Sequence, residues 1–163
     1  MDPLRPALDR RARPRTVGTG HRRLRRRRRV TPDECRQRFG AARVARLATV
    51  APDGSPHAVP IVFALEGDTV YHGVDAKPKR HTALQRLANL AAEPRAAVLA
   101  DHYDEDWSAL WWVRADGIAR EVDPAGEEGR RALGRLVARY PQYRIRGLMI
   151  AIDVARWTGW SAS

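Results

Sequence analysis

A mainly β, α+β fold is what this sequence predicts: a six-stranded antiparallel barrel with peripheral helices. Three observations lead there. Successive apolar runs are joined by turns of a few residues, Pro52-Asp53-Gly54 and Glu66-Gly67-Asp68, and only antiparallel neighbours accept such short links. Within the runs apolar and polar residues alternate, as in Val59, Ile61, Phe63 and again in Ile150, Ile152, Val154, which is the period of a half-buried strand. Helical periodicity is confined to three segments, too few for an alternating α/β chain.

The elements follow in order. Thr31, Pro32 and Glu34 have the spacing of a capping box with proline at the first helical position, so a helix starts there and runs to Phe39, before Gly40. Strands are expected at Val44–Val50, His57–Leu65 and Thr69–Val74. Pro60 inside the second of these marks an edge or a bulge, where a missing N–H costs nothing. A helix is predicted over Lys79–Ala92, with Leu84, Leu87, Ala88 and Ala91 on one face, ending at Glu93-Pro94. Strands at Arg95–Ala100 and Trp111–Arg120 come next, then a helix from Asp123-Pro124 to Tyr140 and a last strand at Leu148–Ala155. The third helix carries Glu127 and Glu128 early and its arginines late, in keeping with its dipole.

The formal charge of +11 is not spread over this domain. Residues 1–29 hold twelve Arg and two Asp, a net +10, which leaves residues 30–163 almost neutral. The domain is therefore taken as 30–163. The tail 1–29 is rich in Pro, Gly and Arg and poor in large apolar residues, so it is expected to be disordered. It reads either as a polyanion-binding arm or as the product of a start placed upstream of the natural one, and a nucleic-acid partner is expected only through it. The lone cysteine, Cys35, excludes an intrachain disulfide framework and fits a reducing cytoplasm. No apolar run approaches the roughly 20 residues of a membrane helix, so no membrane partner is expected.

Two constellations stand out. Of 30 basic residues only two are lysines, Lys77 and Lys79, and both fall with Arg80 in one loop between a strand and a helix. Three cations at a helix start suit a phosphate or carboxylate. The second constellation is Trp107, Trp111 and Trp112; the last two, as neighbours on a strand, must face opposite ways. No catalytic motif is present, no histidine pair has metal-ligand spacing, and no metal site is expected. The catalytic residues are unknown, and any reaction would be a cofactor's.

Arg46-Leu47-Ala48-Thr49-Val50, Asp53-Gly54-Ser55-Pro56-His57 and Pro60-Ile61-Val62-Phe63 resemble the opening of the pyridoxamine 5′-phosphate oxidase-like superfamily. Lys77-Pro78-Lys79-Arg80 stands where its basic loop would be. Asp106-Trp107-Ser108, Trp111–Gly117, Ile150–Val154 and Arg156–Trp160 resemble the later landmarks, in order. The branch they look most like is that of F420-dependent oxidoreductases. The resemblance implies a split β-barrel of the FMN-binding type and a homodimer with its cofactor at the interface. The cofactor would be coenzyme F420, or alternatively FMN, and the substrate a small unsaturated molecule that exchanges a hydride with reduced deazaflavin. By motif position, Lys77, Lys79 and Arg80 would bind the phosphate or acidic tail. Thr49, Pro56, His57 and Pro60 would line the ring, with Trp107 beside it. The C-terminal arginine-and-histidine pattern of the flavin-using oxidases is missing, so pyridoxamine-phosphate oxidation is not expected. A non-catalytic cofactor-binding protein is the remaining alternative.

Overall fold

The computed structural model describes residues 28–75, 84–142 and 144–162. The two predicted tight turns are present, each built on a glycine at positive φ, Gly54 (85°) and Gly67 (58°), which only glycine reaches without strain. They join β2 (Ala45–Val50) to β3 (Pro56–Ile61), and β4 (Ala64–Glu66) to β5 (Thr69–Asp75). After these come β6 (Arg95–His102), a single 3-10 turn at Trp107–Ala109, β7 (Trp111–Val122) and β8 (Ile145–Ser161). All pairing is antiparallel, in the order β3-β2-β6-β7-β8-β5-β4.

This corrects the expected six-stranded closed barrel: seven strands form an open hydrogen-bonded path. The predicted second strand, His57–Leu65, breaks after Ile61, and its two halves pair with different partners, β2 and β5. They are the two ends of the path, yet only Val62 and Phe63 separate them in the chain. Adjacent Cα atoms are about 3.8 Å apart, so the sheet has to curl until its edges nearly meet. Pro60 lies on β3, a terminal strand, where its missing N–H breaks no ladder. An eighth strand, β1 (Arg28–Arg29), pairs with Ser161 and Trp160 of β8, so two residues assigned by composition to the tail enter the sheet.

Three helices pack on the sheet. In α1 (Pro32–Ala41) the Thr31 side chain accepts from the Glu34 N–H while Glu34 accepts from the Thr31 N–H, the reciprocal cap that the sequence predicts. α1 buries Cys35 and Phe39, and Phe39 meets Phe63 and the edge of Trp157 with ring centroids 4.7 and 5.2 Å apart. α2 (Gln85–Ala92) is shorter than expected. Leu84 is extended at φ −67°, ψ 120° and offers no side-chain cap. Among the described residues α2 therefore begins at Gln85; positions 79–83 of the expected helix and the Lys77–Arg80 segment lie outside the described residues. α3 (Glu127–Arg139) covers a second apolar cluster containing Tyr71, Leu136, Tyr140 and Met149. The main core, which includes Leu47, Phe63, Val70, Val98, Val113 and Ile152, lies between the curled sheet and α1 and α2. Burying each of these larger side chains stabilises the fold by roughly 1.5–3 kcal/mol.

Candidate functional site

Alternation along β2 and β3 creates two different surfaces. Ala45, Leu47 and Thr49 are buried, while Arg46, Ala48 and Val50 face outward. On β3, His57 and Val59 are half-buried, and Pro56, Ala58 and Pro60 are exposed.

On the inner side, Thr49 stands directly opposite His57 in the β2–β3 register, with Oγ1 3.5 Å from His57 Nδ1. Asn89 of α2 is fully buried and donates from Nδ2 to Thr49 Oγ1 at 3.0 Å. Its own Oδ1 accepts from Gln85 Nε2 at 2.7 Å, one helical turn earlier. Four polar side chains from two strands and a helix thus form one line. A buried amide costs several kcal/mol unless it is paired, and here both ends of the Asn89 amide are. On β5, His72 is also buried; its Nδ1 donates to the Val62 carbonyl at 3.0 Å and Nε2 has no partner among the described residues. Burial, helped by the Arg86 cation, pushes its pKa down to about 4, so the ring is neutral.

On the outer side, a shallow groove of about 540 Å³ crosses β2, β6, β7 and β8. Its floor is small and apolar, with Ala48, Ala97 and Gly117; Val50 and Ile118 are left 42% and 49% exposed. Gly117 sits at a break in the β7–β8 register. A Cβ there would lie 2.3 Å from the Asp153 carbonyl oxygen, so no larger residue fits this close approach of backbones. Asp116 closes one rim and is paired with both Arg114 and Arg156. Further along the same face, Trp112 and Trp160 stand opposite each other and line a cleft of about 250 Å³ with Tyr103, Leu110 and Trp111.

The expected site residues fall into groups. Thr49 and His57 come together on the inner side. Pro56 lines the groove, and Pro60 lies on the same outward face of β3. Trp107 is 74% exposed in the 3-10 turn after β6. It comes after His102, the end of β6, which lies five residues past Ala97, the partner of Ala48, so within one chain Trp107 follows the far end of that strand. Lys77, Lys79 and Arg80 lie outside the described residues. Sequence reasoning missed Gln85 and Asn89. Their signal was a polar pair four residues apart inside an otherwise apolar helical stripe. Among the described residues, no group of three or more His, Cys, Asp or Glu could hold a metal ion, and no helix is long and apolar enough to cross a membrane.

Comparison with known proteins adds to this geometry. No curated protein matches the chain. Among solved structures, a FAD-binding protein from Mesorhizobium loti is 23% identical with a TM-score of 0.67, over 85% of this chain and 100% of that one. A conserved hypothetical protein from Mycobacterium tuberculosis is 22% identical with a TM-score of 0.65, over 82% and 86%. The heme storage protein HutZ from Vibrio cholerae is 16% identical with a TM-score of 0.61, over 79% and 90%. At these identities the likeness is one of fold. The sequence pattern of the family described as pyridoxamine 5′-phosphate oxidase matches residues 31–161. On that match, which takes in β2 through β8 and all three helices, the chain belongs to the pyridoxamine 5′-phosphate oxidase family.

Proposed function

We propose that this protein is an oxidoreductase that holds a flavin-type cofactor, coenzyme F420, in a split β-barrel homodimer and reduces a small unsaturated substrate. The observation that carries the reading is the open apolar groove over Ala48, Val50, Gly117 and Ile118, beside the terminal strand β3. A flat ring system needs apolar surface for its faces and hydrogen-bonding groups at its rim. The groove has the first. The outer edge of β3, which among the described residues pairs only with β2, has the second, and His57 stands half-buried on that strand. Val50 and Ile118 would be covered by a second copy of the chain, whose Trp107 would then approach the ring. Lys77, Lys79 and Arg80 are assigned to the phosphate or acidic tail by the resemblance alone.

When bound, the reduced deazaflavin supplies the hydride chemistry. The chain's own residues would bind and orient the ring and exclude water from it. None of them has to exchange a proton. A second reading keeps the site and replaces the ligand by FMN or FAD; the FAD-binding structure among those of the same fold favours it.

The test is a fluorescence titration of the full chain with F420, FMN and FAD in turn. Saturable binding of F420 alone is expected. Binding of a flavin alone would replace the first reading by the second, and binding of none would overturn both. Lys77→Ala with Lys79→Ala is expected to weaken F420 binding by a few kcal/mol, since charge-assisted contacts are worth about 1.5–3 each; unchanged affinity would remove the basic segment from the site.

A further inference from the structure

We propose that Asn89 and Thr49 are positioning residues that hold the His57 proton on Nε2, so that this ring presents an N–H donor to an oxygen acceptor of the bound ligand, such as a ring carbonyl. The inference rests on the reading above only in taking His57 as part of the ligand site.

The direction of each hydrogen bond follows from the one before it. Gln85 Nε2 donates to Asn89 Oδ1 at 2.7 Å, which turns the Asn89 carbonyl toward Gln85 and its amino group toward Thr49. That amino group donates to Thr49 Oγ1 at 3.0 Å. A hydroxyl has one proton and two lone pairs. With a lone pair taken by Asn89, the proton is free, and among the described residues the acceptor facing it is His57 Nδ1 at 3.5 Å. That separation is at the long end of the hydrogen-bonding range. A neutral imidazole accepting at Nδ1 carries its proton on Nε2. His57 is half-buried rather than enclosed, so part of its ring is open to a ligand. Asn89 and Thr49 are 0% and 3% exposed, so neither needs to touch the ligand to have this effect.

Ring-nitrogen and ring-carbon NMR of the full chain, with His57 assigned by its loss in His57→Gln, tests the relay without any cofactor. The expected result is a proton on Nε2 alone. In Thr49→Val a second population protonated at Nδ1 should appear, and Thr49→Ser should restore the single form. A ring protonated at Nδ1 in the native chain, or no change in Thr49→Val, would overturn the relay. For the donor role, the probe is coenzyme F420. Thr49→Val should lower its affinity about three- to tenfold, the worth of one hydrogen bond, and should have no effect in a His57→Phe background. An equal loss in both backgrounds would mean that Thr49 acts only on the fold and would overturn the positioning role. If F420 does not bind the native chain, the cofactor reading fails while the NMR result still decides the relay.

Discussion

Two polar regions of this molecule solve the same problem differently. Under α2, Gln85, Asn89, Thr49 and His57 form a line of side chains joined without an ion pair, two of them fully or almost fully buried, with His72 enclosed on β5. Beside α3, Arg120 spans Glu128 and Asp153, Tyr71 donates to Glu128 at 2.8 Å, and Thr69 donates to Asp153 at 3.1 Å. This second network is ionic and partly exposed. Arg120 holds the Glu128 carboxyl down at about 2, and burial together with Glu128 pushes the Tyr71 phenol up to about 12. Exposed charges can exchange partners with water at little cost, whereas a buried amide has to keep the partner it has. The α3 network therefore decorates the scaffold. The α2 line dictates where particular atoms sit, which is what a binding site requires.

Acid should separate the two regions most clearly. His72 is held near 4 in the folded state against about 6.5 unfolded. The unfolded chain binds the extra proton, so stability is lost as pH falls from about 6.5 toward 4, by on the order of 3 kcal/mol. Glu128 acts in a different window. Its folded value near 2 favours the fold above about 4.5, and that contribution is lost only as pH falls further. Urea unfolding at pH 7, 5.5 and 4 should show the larger loss already by pH 4, and His72→Leu should flatten that limb. A flat native profile from pH 7 to 4 would mean that His72 is not enclosed as described.

Asn89→Ala comes next in size. It leaves the Thr49 hydroxyl and Gln85 without their partner, at a cost of roughly 1–3 kcal/mol, and the loss should be the same in low and high salt. Glu128→Gln should cost less, at most about 1 kcal/mol, and the difference should fade in 1 M salt, where screening extends only about 3 Å. A salt-independent loss in Glu128→Gln would break the contrast, because that network would then behave as a buried one.

Local chemistry was legible where neighbouring residues decide it. The capping box at Thr31 and Glu34, the turns at Gly54 and Gly67, and the edge position of Pro60 were all readable from a few adjacent residues. The break after Ile61 was not, because Val62-Phe63 continues the apolar alternation and only the change of partner from β2 to β5 reveals it. The extended backbone at Leu84, just before α2, was not legible either, because no residue beside it forbids a helix. Of the site, the resemblance supplied Thr49 and His57 as positions. Their pairing across β2 and β3 needed the register, and Asn89 was visible only as a polar residue in an apolar stripe.

By itself, the sequence determined a mainly β, antiparallel domain, its helix cap, its tight turns and its concentration of charge before Val30. Each depends on dihedral preferences, side-chain period or charge counted along the chain. Only the tertiary structure decided the curl of the sheet, the Asp116–Gly117 register break that opens the groove, and the line from Gln85 to His57. These join residues tens of positions apart, and which of them meet is set by strand register and helix docking, where a shift of one residue sends every side chain to the opposite face.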